Sequence, residues 1–260
     1  MFESGVLPSS VNTHNMALRM PARSLYRAVR RLGSAASPLP RLKVVLDMDE
    51  CLIHSTAFSD RDGDHRQTET SRPNDLSGAE QVVETFTLVM ADGVSCTVLK
   101  RPHLDVFLEA CAEEFDTFVF TAGTEDYASP LLDYLDPDKQ LIIGRRYRSD
   151  CRLVRIPAQG LHFLKDLRAV VPDEEDHSRL VLIDNNPLSF VCQPRNGIPV
   201  PDFVGDPDDA LPAVLELLRQ LKGLKDVRPT LHEMFGLEGR LASLRERLLG
   251  DGDPAPRSKL

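Results

Sequence analysis

Three short apolar runs each stop on a small polar residue, and this pattern limits what the chain can become more than any other. Val44-Val45-Leu46 runs into Asp47, Phe118-Val119-Phe120 into Thr121, and Val181-Leu182-Ile183 into Asp184-Asn185. Apolar runs that are continuous rather than alternating mark strands buried on both faces, as in parallel sheets. Stretches with helical spacing lie between them. Pro102 opens one in which Val106, Phe107, Ala110 and Cys111 share a face, a second is expected over 126–135, and 208–221 is clearly amphipathic. Residues 160–170 are also expected to be helical, which puts Lys165 on a helix ahead of the third strand. Strands alternating with helices predict an α/β fold with a doubly wound, mostly parallel central sheet. Ligands bind such sheets beyond the carboxyl ends of the strands. Asp47, Thr121 and Asp184-Asn185 are therefore expected to meet at one edge, with Lys165 reaching it as the cation.

The first strand end is Asp47-Met48-Asp49. Two acids one residue apart on a regular strand point to opposite faces. If the chain turns just after Asp47, its side chain and the Asp49 main-chain carbonyl can hold one hard cation while the Asp49 carboxylate stays free to move protons. That arrangement points to a divalent metal and phosphoryl transfer. Taken singly, each group has a plainer reading: a DxD in an Asp-rich loop, a turn at Asp184-Asn185, a cap at Thr121, a solvated lysine at 165.

Elsewhere, 86–99 reads as a hairpin turning at Ala91-Asp92-Gly93, and 59–80 as a surface loop. Residues 141–156 mix β-formers with Arg145, Arg146, Arg148, Arg152 and Arg155, a small β/Arg-rich insertion. Leu237, Leu241, Leu244 and Leu248 form a heptad-like stripe suited to docking or to covering the core. The expected division is a basic arm over 1–40, a globular domain over 41–224, and a C-terminal helix and tail over 225–260.

Six segments in order (46–55, 99–108, 118–123, Tyr127-Ala128, 163–167 and 181–187) resemble the FCP/SCP phosphatases, the DxDxT group of the haloacid-dehalogenase superfamily. That group acts on the RNA polymerase II C-terminal domain and related phosphoproteins, and the likeness covers roughly 42–221. It implies a Mg²⁺-dependent serine/threonine phosphatase with a phosphoprotein as substrate. Asp47 would be the nucleophile and Asp49 the acid/base, with Thr121 and Lys165 holding the phosphate. Asp47, Asp49 and Asn185, with Asp184 beside it, would hold Mg²⁺. Alignment also places Arg148 to meet an anionic phosphopeptide. Two departures stand out. Cys51 replaces the usual Thr or Val, as a small apolar stand-in; no Cys-x5-Arg loop follows that would make it a cysteine phosphatase. Asp202-Phe203-Val204 stands where the group has Trp-Phe, which bears on substrate choice. A catalytically quiet adaptor of the same fold, like the mitochondrial import-translocase subunit, and a small-molecule phosphatase are the alternative readings.

A net charge of −9 argues against nucleic acid as a partner. The five cysteines include no CxxC and read as reduced thiols. No apolar run has the length of a membrane span. Between Glu3 and Asp47 there is no acid, but Arg19, Arg23, Arg27, Arg30, Arg31, Arg41 and Lys43 occur. That arm reads as an irregular basic tail, an organelle presequence or a membrane-surface helix. Finally, Ser258-Lys259-Leu260 at a free terminus matches a peroxisomal import address. It predicts an import receptor as partner and a peroxisomal or glycosomal location, with cytoplasm or mitochondrion as the alternatives.

Overall fold

The structure is a computed structural model that describes residues 39–58, 83–156, 160–173 and 175–250. The basic arm, the 59–80 loop and the Ser258-Lys259-Leu260 terminus lie outside the described residues or almost wholly so. In chain order the strands are β1 (Lys43–Leu46), β2 (Ile53–Phe58), β3 (Thr85–Val89), β4 (Ser95–Lys100), β5 (Asp116–Phe120), β6 (Gly144–Arg146), β7 (Arg152–Ile156), β8 (Gly160–Leu164), β9 (Leu180–Asp184) and β10 (Gly197–Pro199). The helices are α1 (Leu104–Glu114), α2 (Glu125–Leu135), α3 (Ala210–Leu221), α4 (Arg228–Phe235) and α5 (Leu237–Leu249).

β10-β9-β1-β5-β6 form a five-stranded parallel sheet. The chain leaves β1 toward β5 and β6, then returns to build β9 and β10 on the other side, so the winding reverses at β1. This is the doubly wound α/β fold that the apolar runs imply. β9 is buried along its whole length, and so are the last three residues of β1, which is why their sequences are continuously apolar. Leu46 lies level with Val119 on one neighbour and Ile183 on the other. The three polar strand ends therefore fall side by side at the switch point.

Two antiparallel units stand on this sheet. β2-β4-β3 form a three-stranded sheet, and its β3–β4 hairpin is the one expected over 86–99. β7 and β8 form a second hairpin, which corrects the expectation of a helix over 160–170. Gly160 stands at φ 88°, a left-handed conformation that starts the strand opposite Ile156, and pairing continues to Arg152 opposite Leu164. Apolar residues at 161, 163, 164, 167 and 170 fit a helical and an alternating period about equally well over so short a span. The pairing strand, 4 to 12 residues upstream, decides. Lys165 thus leaves the end of a strand, ahead of a single 3₁₀ turn over Leu167–Ala169.

α4, not anticipated from the pattern, starts at Arg228-Pro229 and closes on Gly236 at φ 59°. Leu231 and Phe235 from α4, with Leu237 and Leu241 from α5, join the same core as the sheet. Among the described residues no helix is long and apolar enough to cross a membrane.

Candidate active site

The site begins with a turn. After β1 the Asp47 amide donates to the Ile183 carbonyl (2.9 Å), which ties the first acid to the neighbouring strand end. The chain then coils back on itself: Met48 O accepts from Leu52 N (2.9 Å) and Ile53 N (3.1 Å), and Glu50 adopts φ 58°. A left-handed non-glycine residue carries a backbone cost of about 1 kcal/mol, retained here where the turn swings Asp49 toward Thr121 instead of away from it.

Lys165 is 2% exposed and bridges two acids. Its Nζ meets Asp47 Oδ1 in a very short contact and Asp184 Oδ2 at 2.6 Å. Asp184 Oδ1 accepts from the Asn186 amide (2.7 Å), so both of its oxygens are engaged. One cation is thus shared by two buried carboxylates. Burial pushes the Asp47 carboxyl up to about 8, the charge of Asp184 adds to this, and Lys165 only partly opposes it.

Asp49 is held from the other side. Tyr127 Oη donates to Asp49 Oδ1 (2.5 Å) and Thr121 Oγ1 to Oδ2 (3.2 Å). Thr121 Oγ1 in turn accepts from the Gly123 amide (2.9 Å). A Cβ at Gly123 would stand 2.9 Å from the Tyr127 ring, so glycine is what lets α2 start this close to the β5 end. Burial raises the Asp49 carboxyl above its ordinary range, while the Tyr127 and Thr121 hydrogen bonds hold it back. A partly raised carboxyl is suited to giving and taking a proton near neutral pH.

Asn185 completes the edge. Its Nδ2 donates to Asp202 Oδ1 (3.0 Å), which orients the amide so that Oδ1 is buried with no hydrogen-bond partner. A buried acceptor without a donor costs free energy unless something positive meets it. Together with the uncompensated charge on Asp47 and Asp184, it makes this edge a fit for a hard divalent cation bound by oxygen. Among the described residues no three His, Cys, Asp or Glu side chains gather in a form that would hold a metal. The oxygen donors here include an amide, outside that set, and no thiolate cluster exists to favour zinc.

The expected residues therefore converge: Asp47, Asp184 and Lys165 in one contact, Asp49 and Thr121 in another, and Asn185 beside Asp184. Arg148 lies at the mouth, its Nε donating to Ala122 O (2.6 Å) and its guanidinium 4.9 Å over the Phe163 ring. Cys51 is buried, and burial raises its thiol well above the ordinary range, consistent with its reading as an apolar stand-in.

Three contributors escaped the sequence reading. Tyr127 enters the sequence reading only within a motif, yet it reaches Asp49 and also pairs with the Ser55 hydroxyl. Asp202, part of the departure that bears on substrate choice, orients Asn185. Arg101, 1% exposed, reaches Cys51 O (2.8 Å), Pro201 O (3.0 Å) and Asp208 (2.6 Å), and so clamps the Asp47–Ile53 turn from behind. No local signal marks these roles, because each partner is far away in sequence.

A family model described as NLI interacting factor-like phosphatase matches residues 42–228. The chain is 33% identical over 235 residues to nuclear envelope morphology protein 1 of Schizosaccharomyces pombe, covering 86% of this chain but only 44% of that protein. It is 34% identical to CTD nuclear envelope phosphatase 1B of Danio rerio, covering 79% of this chain and 80% of the relative. A solved structure of fission yeast RNA polymerase II CTD phosphatase Fcp1-R271A is 21% identical, with a TM-score of 0.44 over 86% of this chain and 58% of that one. The names of the relatives point to the nuclear envelope. That overturns the peroxisomal or glycosomal address and leaves the import receptor, expected as a partner of Ser258, Lys259 and Leu260, without support. Three residues are a short code that arises by chance far more readily than a match over most of a chain.

Proposed function

The chain belongs to the NLI interacting factor-like phosphatase family, and on that premise we propose that it is a Mg²⁺-dependent protein serine/threonine phosphatase of the nuclear envelope, working through an aspartyl-phosphate. The observation that supports this best is the strand edge itself. Lys165 shares its charge between Asp47 and Asp184, and the neighbouring Asn185 Oδ1 has no donor.

Asp47, Asn185 and the Asp49 carbonyl would hold Mg²⁺, whose charge offsets repulsion between the Asp47 carboxylate and the incoming phosphate. Lys165 and the Thr121 hydroxyl hold phosphoryl oxygens, and Lys165 partly opposes the burial that raises the Asp47 carboxyl, a cost that a bound cation would offset further. An Asp47 oxygen attacks phosphorus, and the bond to the serine or threonine oxygen breaks as Asp49 gives that oxygen a proton. Asp49, now a carboxylate, takes a proton from water; the water oxygen attacks the same phosphorus and inorganic phosphate leaves, regenerating Asp47. Tyr127 keeps Asp49 aimed through both steps. Arg148 receives the anionic substrate at the mouth.

Chelation tests the reading directly. Hydrolysis of a phosphothreonine peptide should stop in EDTA and return with excess Mg²⁺. Activity indifferent to chelation would overturn it.

A further inference from the structure

The β7–β8 hairpin is anchored by one face and open on the other. Val154 and Leu164 pack against Leu188, Val191, Leu244 and Leu249. On the opposite face the pairing sets Leu153 against Phe163 and Arg155 against Leu161. Leu153 and Leu161 are 54% and 55% exposed, and Arg155 is exposed as well. Single exposed leucines are ordinary, but here two lie together with a half-buried phenylalanine on one small surface.

This face is continuous with the active centre. Arg148 stacks on Phe163 and is tied to Ala122, one residue past Thr121. The same strand, β8, runs from Leu161 straight into Lys165. At the rise of an extended strand, Leu161 sits about 13 Å along the chain from Lys165. The arginines at both ends stand out in a chain of net charge −9, and they complement acidic rather than basic ligands.

We propose that this face is a docking strip for the part of the phosphoprotein substrate that flanks the phosphorylated residue. It would take an extended acidic segment with a large apolar residue about four positions from that residue, the spacing of Leu161 from Lys165. Arg148 and Arg155 meet the substrate carboxylates, while Leu153, Leu161 and Phe163 cover its apolar side chain. The inference rests on the protein-phosphatase reading and adds the substrate class to it.

The test uses the full chain with Mg²⁺ and three substrates: para-nitrophenyl phosphate, a phosphothreonine peptide with glutamates around it and a leucine four positions away on each side, and the same peptide with Gly/Ser flanks. The unaltered protein should favour the acidic, leucine-bearing peptide about tenfold in kcat/KM, chiefly through KM, a difference of about 1.4 kcal/mol. Leu153→Ser with Leu161→Ser, and separately Arg155→Glu, should erase that preference and leave para-nitrophenyl phosphate turnover within about twofold. If the unaltered protein treats both peptides alike, the proposal is overturned, whatever the variants do. Hydrolysis of para-nitrophenyl phosphate but of neither peptide would remove the protein-substrate reading itself, and this strip with it. If the variants keep the peptide preference but lose binding to anionic phospholipid vesicles, the face belongs to a membrane and the proposal fails.

Discussion

Arg101 and Lys165 are the most deeply buried cations among the described residues, and their surroundings differ in kind. Arg101 is saturated: its nitrogens reach two carbonyls and one carboxylate, and Phe203 lies 5.6 Å beneath its guanidinium. Lys165 faces two buried acids at once, with an unpartnered amide oxygen beside them. The first arrangement is matched within the chain and serves the fold. The second sets one lysine against two buried acids, so the edge favours taking up further positive charge, a proton on Asp47 in the metal-free protein. Saturation separates a structural ion cluster from a reactive one more sharply than burial does, since both lysine and arginine are equally hidden.

The strongest way to break that contrast is at the deficient end. Asp47→Asn should lower turnover of a phosphopeptide by about 10³-fold or more, as removal of a nucleophile does. Its thermal unfolding should be unchanged or later, because the substitution removes a buried charge that nothing fully balances. Measurable wild-type turnover in this variant would sink the mechanism.

At the saturated end the sign reverses. Arg101→Ala should cost about 3 kcal/mol in chemical denaturation, since it strands Asp208 and two carbonyls. A loss below about 1 kcal/mol would mean that the clamp behind the turn is not structural.

The pH dependence sharpens the same comparison. The Asp47 carboxyl rises from an ordinary 3.8 to about 8 in the fold, so between those values the folded state binds the extra proton. Stability of the metal-free protein should therefore be greatest below pH 4 on this account and fall as pH climbs toward 8. Asp166 works in the opposite sense. Burial opposes ionisation, but Arg168 and Gln193 outweigh it and lower its carboxyl below the ordinary range, so its contribution is present above pH 4 and lost in acid. Melting curves in EDTA across this range should flatten between pH 4 and 8 in Asp47→Asn and not in Asp166→Asn. Equal slopes in both variants would contradict the charge deficit at Asp47.

The smallest expected effect concerns aim rather than charge. Tyr127→Phe removes one hydrogen bond to Asp49 and should reduce kcat about tenfold with KM little changed. The alkaline and acid limbs of the rate profile should shift with it, which loss of packing alone would not produce.

Much of this edge was legible residue by residue. The three apolar runs show where strands end, and the Asp47-Met48-Asp49 pair marks the one strand end where a turn would bring two acids to a single site. The helix expected over 160–170 shows the limit. A five-residue strand and a helical turn carry overlapping apolar patterns, and the arbiter was Arg152–Ile156, a partner that local periodicity does not see. The terminal Ser-Lys-Leu shows another limit: a short code has no physical redundancy to check it against.

By itself the sequence determined the α/β alternation, the order of the strand ends and which polar residues stand at them, because backbone pattern and side-chain chemistry are local properties. Tertiary structure decided the rest. It set Lys165 between Asp47 and Asp184, turned Asn185 with Asp202, aimed Asp49 with Tyr127 and braced the turn with Arg101. These are contacts between residues 17 to 118 positions apart, and charge, orientation and proton affinity depend on the distance between atoms, which a linear pattern does not contain.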